Sequence, residues 1–234
     1  MILSGLDSSL LVAAHELKTP LVLLRQLSFE LEKTENPKRK NEIIQQMRLV
    51  SERSLRLVDN LTKVARLEDA LFELEPIQLN NICQEVIDEA RPLSRLLGQD
   101  FSFKFSQKAT VVVANRDLLR SLLLGLIDNA FQYNSADKNI KISTKVQQNK
   151  AVISVRDFGE IIDLGDFRRL KQAVEQQNVP ISARPLSSGL GLLIAERFAQ
   201  AMQGGFKIQR HYSGGMSFSL TLSLSSQLSF LESQ

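Results

Sequence analysis

Two runs of apolar residues, spaced alternately four and three apart, constrain this chain more than any other feature. The first is Leu10, Ala14, Leu17, Leu21, Leu24, Ser28, Leu31; the second is Ile43, Met47, Val50, Ser54, Leu57, Leu61, Val64. A two-in-seven stripe winds along one side of a helix and must be buried against other helices. Between the runs lies Glu35-Asn36-Pro37, and Pro37 suits the first turn of a second helix, where its missing N–H is not needed. The pattern predicts an antiparallel hairpin, with its first helix from about Ser8 to about Lys33. One hairpin cannot cover both stripes. The expected solution is a four-helix bundle made by two chains, a homodimer.

The bulk numbers exclude several classes. Hydrophobic residues at 43% and charged ones at 24% are globular rather than disordered proportions. The net charge of +3 is too small for a nucleic-acid partner to be expected. Cys83 is the only cysteine, so neither an intramolecular disulfide nor a thiolate metal cluster can form, and its apolar helical surroundings predict a plain buried residue. No run approaches the ~18 apolar residues of a membrane span, and no signal peptide is evident, so a cytoplasmic location is expected.

The heptad pattern stops near Glu73–Pro76, which divides the chain into a hairpin over 1–72 and a second domain over 73–234. There, Ile82, Val86 and Ala90 mark a helix that Pro92 is expected to bend or end. Phe101, Phe103 and Phe105 alternate with polar residues as in a half-buried strand, and Val111–Val113 is a short apolar one. Asn115 is placed to cap a helix from Arg116 to about Gln132. A hairpin follows over Ile140–Val146 and Ala151–Val155, then an unpatterned stretch over 163–188 with room for one short helix. A helix over Leu190–Met202 and a closing hairpin around Ser213-Gly214-Gly215 complete the domain, and the last ten residues read as a frayed tail. The fold class expected is α+β: a dimerising helical hairpin followed by a two-layer α/β sandwich with a mixed sheet.

Within the first stripe stands His15-Glu16-Leu17-Lys18-Thr19-Pro20-Leu21. His15 precedes the stripe residue Leu17 by two positions, which turns it outward, and Thr19 lies one helical turn later on that outer face. Pro20 cannot bond the carbonyl of Glu16, so a local kink is expected. Taken singly these are ordinary surface residues. As an ordered string they resemble the phosphoacceptor box of two-component sensor histidine kinases. The resemblance implies that His15 accepts the γ-phosphoryl group of ATP, that Glu16 serves as base, and that Thr19 helps hydrolyse a partner's phospho-aspartate.

The second domain extends the likeness. Asp128-Asn129-Ala130 with Tyr133 resembles the family's asparagine box, which implies Asn129 as a Mg²⁺ ligand. Asp157-Phe158-Gly159 resembles the first glycine box, implying a hydrogen bond from the adenine amino group to Asp157. Ser188-Gly189-Leu190-Gly191 opens a helix and resembles the second, where Gly189 and Gly191 let backbone approach the phosphates. Each signal alone is weak, since Gly-rich turns and Asn-Ala pairs are common. In this order after a histidine box they resemble the Bergerat-type ATP-binding domain, over roughly residues 8–224. The implied cofactors are ATP and Mg²⁺, and the implied partner is a response-regulator receiver domain.

The pattern departs in places. Gly125 stands where a second Asn is usual, Gln132 where a cation precedes the Tyr, and Ile161 where a further Gly is usual; Phe167 is the nearest match to a lid phenylalanine. A degenerate kinase, acting as a phosphatase or docking scaffold, is therefore the alternative. Sensor kinases usually carry a sensing segment before the bundle, and nine residues precede Leu10, so either an excised fragment or input through another protein is expected.

Overall fold

A computed structural model describes residues 3–67, 72–106, 110–175 and 190–225, with side chains from Ala13 onward except that of His15. The chain divides into two compact units, Met1–Arg66 and Leu67–Gln234.

In the first unit, α1 (Leu3–Lys33) and α2 (Pro37–Arg66) form the hairpin, and α1 continues as helix through Pro20. Asn36 begins α2 as its sequence requires: its Oδ1 accepts from the backbone N–H of Lys38 at 3.0 Å and of Arg39 at 3.4 Å. Arg39 reaches back to Glu30 at 2.5 Å and so ties the start of α2 to the end of α1. Among the described residues of this unit, Leu27 and Ile43 are the buried apolar side chains. Leu21 remains 60% exposed and Leu55 63%. Met47, Val50, Leu57 and Leu61 are half-buried.

The second unit runs β1 (Glu75–Gln78), α3 (Leu79–Leu97), β2 (Phe101–Lys104), β3 (Val111–Ala114), α4 (Arg116–Tyr133), β4 (Ile140–Gln147), β5 (Lys150–Arg156), α5 (Leu164–Glu175), α6 (Leu190–Ala201), β6 (Gly205–Arg210) and β7 (Met216–Ser223). A five-stranded mixed sheet has the order β2-β4-β5-β7-β6, with β2 parallel to β4 and the other neighbours antiparallel. The short strands β1 and β3 pair separately, and β3 meets the chain beyond β7 through a bridge between Val112 and Leu224. α4 carries the core: Leu118, Leu119, Leu122, Leu126, Ile127 and Ala130 are all buried. Every second residue of β5 and β7, including Ile153, Val155, Phe218 and Leu220, is buried as well, and their neighbours form the opposite face of the sheet.

Local chemistry explains the joints. Asn115 caps α4 by accepting from the N–H of Leu118 at 3.0 Å. Gln148 and Asn149 both take positive φ, +49° and +57°, as a two-residue turn matched to strand twist demands. Gly98, at φ +61°, closes α3. Cys83 is buried in α3, and burial pushes its thiol up to about 12.

Three local expectations are corrected. α3 does not end at Pro92 but runs to Leu97, burying Leu93 and Ser94 on its last turns. The phenylalanine strand stops at Lys104 with only Phe101 buried; Phe103 is 48% exposed and stacks on Phe105 at 5.7 Å. β1 was not expected, because Glu75-Pro76-Ile77-Gln78 offers a single apolar residue. Among the described residues no helix is long and apolar enough to cross a membrane.

Candidate functional site

The sequence-derived residues fall into two groups, one in each unit. In the first, His15, Glu16 and Thr19 lie on α1; Glu16 is half-buried and Thr19 exposed, while the side chain of His15 lies outside the described residues.

In the second unit, Asp157 is fully buried at the end of β5. Its Oδ1 accepts from the N–H of Gly159 at 3.1 Å and from that of Met216 at 3.2 Å, while its own N–H donates to the carbonyl of Met216 at 3.0 Å. A buried carboxylate needs such donors. These contacts orient the carboxylate between the end of β5 and the start of β7.

The turn after Asp157 is clamped to the end of α4. The N–H of Phe158 donates to Asn134 Oδ1 at 2.9 Å, and Ser135 Oγ donates to the carbonyl of Phe158 at 2.7 Å. A side chain on Gly159 would bring its Cβ within 2.2 Å of the Tyr133 carbonyl oxygen, so only glycine lets these segments meet. Across the turn, Gly215 takes φ +72° and its place for a Cβ is 2.1 Å from the Asp157 carbonyl oxygen. Asp157, Gly159 and Tyr133 are thus joined in one constellation with Asn134, Ser135 and Gly215, three residues that sequence reasoning did not assign to the site. The Gly214-Gly215 pair was a visible signal, read only as a hairpin turn.

Asn129 lies one turn before Tyr133 on α4, half-buried, and its Nδ2 is buried without a hydrogen-bond partner among the described residues. An amide can present either its N–H or, turned over, its oxygen toward such a space. Gly125 sits one turn earlier, exposed, with nothing within 4 Å of a Cβ placed on it. Gln132 is exposed. Ile161 is 60% exposed and points to solvent rather than filling a pocket. Gly191 is the second residue of α6, again with nothing within 4 Å of an added Cβ. Gly189 lies outside the described residues, and Phe167 is on α5, half-buried. His211 is half-buried and bonded through Nε2 to Ser217 Oγ at 2.7 Å.

Residues 114–226, from the end of β3 to the chain beyond β7, match the family described as histidine kinase-, DNA gyrase B-, and HSP90-like ATPase. Over 90% of the chain, 28% of residues are identical to the sensor protein CutS of Streptomyces coelicolor, covering 51% of that protein. The sensor protein kinase PmrB of Pseudomonas aeruginosa is 29% identical over 86% of the chain and 42% of its own length. That family match lies in the second unit, and along nearly its whole length the chain is similar to sensor histidine kinases. It spans about half the length of the curated relatives it matches. Solved structures share its fold: Acinetobacter baumannii histidine kinase AdeS at a TM-score of 0.61 and 19% identity covers 91% of the chain and 98% of its own. Histidine kinase ThkA, in complex with response regulator protein TrrA, reaches 0.65 at 19% identity, covering 96% of the chain and 64% of its own.

Proposed function

We propose that this chain is an ATP-dependent protein-histidine kinase: it autophosphorylates His15 and passes the phosphoryl group to an aspartate of a response-regulator receiver domain, in the cytoplasm. The buried, amide-oriented carboxylate of Asp157 beside the glycine turn is the observation that carries this reading, in a chain whose relatives are named sensor kinases. Asp157 accepts a hydrogen bond from the adenine amino group, and Gly159 keeps the turn close enough to α4 for the base to seat against Tyr133. Gly189 and Gly191 let the phosphates approach the N-terminus of α6, whose free N–H groups and positive potential favour anions.

Mg²⁺ fits the donor set. Asn129 would hold the ion through its side-chain oxygen, because its buried amide nitrogen has no hydrogen-bond partner among the described residues and an amide turned over presents its oxygen to the same space. When bound, it neutralises charge on the phosphoryl oxygens.

His15 attacks the γ-phosphorus in line through a ring nitrogen. The N–P bond forms as the bond to the ADP oxygen breaks, and Glu16 takes the imidazole proton. Thr19 orients water for the reverse task, hydrolysis of the receiver's phospho-aspartate. Residues 1–72 pair two chains in a four-helix bundle, and residues 73–234 deliver the nucleotide.

A weakly active or scaffold form is the second reading, favoured by Gly125 and Gln132 in place of an oxygen ligand and a cation. Incubation with ATP labelled in its γ-phosphate and Mg²⁺ separates the two. An autokinase gains label that is stable to base and lost in acid; a scaffold gains none.

A further inference from the structure

The face of the five-stranded sheet opposite α4 has an unusual composition. One row across it reads Ser102, Lys141, Arg156, Ser217, Gln209, each residue paired with the next on neighbouring strands. The adjacent row reads Lys104, Ser143, Ser154, Ser219, Lys207. These rows hold hydroxyls, cations and one amide, and no carboxylate.

Where the rows meet β2 and the end of β6, the face sinks into a depression of about 420 Å³, bordered also by His211. Two of its polar groups are buried and lack hydrogen-bond partners among the described residues: Arg156 Nε and Ser102 Oγ. The guanidinium is held in place, stacked 4.5 Å from the Phe158 ring centroid with Nη2 donating to Ser213 Oγ at 3.2 Å. Lys141 Nζ stands 5.2 Å from the same ring centroid. Cations gathered on one ring with no acid among the lining residues repel one another, and an anion relieves that repulsion. Asp157, the carboxylate that acts on His211, accepts from the backbone amides of Gly159 and Met216.

We propose that this depression is a second anion site, separate from the nucleotide site, that binds a phosphate monoester on a small polar body. Arg156 offers a donor fork suited to phosphate, Lys104 and Lys141 supply charge, and Ser102, Ser143 and Ser154 supply hydroxyls. The volume exceeds that of a bare phosphate and lies within the range of small-molecule sites, ~300–1,000 Å³. The same chemistry is offered by a soluble phosphate ester or a phosphomonoester lipid headgroup.

His211 provides the reporter. Burial, then the charge of Arg156, lowers its pKa, and Asp157 raises it in part. A dianion bound between Arg156, Lys141 and Lys104 raises that pKa again. In the full chain saturated with ADP, inorganic phosphate and glucose 6-phosphate are titrated while the His211 ring is followed by NMR. Phosphatidic acid vesicles, with phosphatidylcholine vesicles as control, are tested in parallel by sedimentation.

A saturable shift of the ring resonance and a higher His211 pKa are expected from the soluble probes. Binding should weaken tenfold or more in Lys141→Gln/Arg156→Gln, and at least severalfold in Lys104→Gln, which changes only an exposed side chain. ADP affinity should be unchanged in both, so loss of this site is distinguishable from loss of the nucleotide site. Sedimentation with phosphatidic acid alone, abolished by the same variants, would assign the phosphate to a headgroup. An equal response to chloride at matched ionic strength, binding undiminished in Lys104→Gln, or no response to any probe would overturn the proposal.

Discussion

A Cβ on Gly159 would lie 2.2 Å from the Tyr133 carbonyl oxygen, whereas one on Gly191 would meet nothing within 4 Å. The first glycine is required by the fold, whereas the fold makes no such demand at the second. Gly159→Ala should cost about 2 kcal/mol or more through the forced backbone shift, lowering the melting temperature by roughly 4–8 °C. Gly191→Ala should melt no lower than the parent, because alanine is the better helix former by up to ~1 kcal/mol, yet should bind nucleotide more weakly. Calorimetry and ADP titration of the two variants check this contrast. Asp157→Asn keeps an oxygen for the amides of Gly159 and Met216 but removes the charge, so ADP affinity should fall roughly ten- to hundredfold, the ~1.5–3 kcal/mol of a charged hydrogen bond. Gly125 faces open space, so Gly125→Asn with Gln132→Lys should fold normally and raise the Mg²⁺-dependent labelling rate. A rate unchanged by the pair would mean that other groups already hold the triphosphate. The strings that resemble the histidine, asparagine and glycine boxes stand out in the sequence because each is short and contiguous. Asn134, Ser135 and Gly215 do not, since their bonds and close contacts join segments more than twenty residues apart and follow only from the register of β5 against β7 and the reach of α4.

At the scale of elements, the hairpin helices were readable from period alone, and α4 from its period and its Asn115 cap. β1 was not, because a four-residue strand with proline opposite Val113 carries no alternation to detect and is held by pairing with β3. Pro92 misled in the other direction: packing of Leu93 and Ser94 outweighs the one backbone bond that proline removes. The exposed stripe of the hairpin leads to a prediction. Leu21 is 60% exposed within one chain, so Leu21→Glu should leave the secondary structure of a lone hairpin intact but place an unpaired charge in a dimer seam. Sedimentation at micromolar concentration should show a dimer for the parent and monomer for the variant. Within α3, burial raises the Cys83 thiol from its ordinary 9.0 to about 12, so the unfolded chain loses this proton first. The group therefore contributes nothing to the slope of stability at neutral pH, and stability falls as pH rises from about 9 toward 12. At pH 8 a thiol reagent should react only as fast as α3 opens, and rapid stoichiometric labelling of native protein would contradict the burial.

At the scale of the whole molecule, the proposed function divides labour between a helical hairpin that would hold the acceptor and an α/β unit that would hold the nucleotide. Damage to one should spare the binding function of the other. Thr19→Ala should slow dephosphorylation of a phospho-receiver more than it slows autophosphorylation, measured on the same preparation; equal losses would indicate a general disturbance of α1. The central claim is that the acceptor is His15 and the donor is ATP bound at Asp157. The measurement closest to it is labelling with Mg²⁺ and γ-labelled ATP of the parent, His15→Ala and Asp157→Asn side by side, with ADP affinity measured for each. Base-stable, acid-labile label is expected on the parent, none on His15→Ala despite parental ADP affinity, and slow or no labelling of Asp157→Asn with weakened ADP binding. Label that persists on His15→Ala, or a parent that binds ATP and never labels, would contradict the claim.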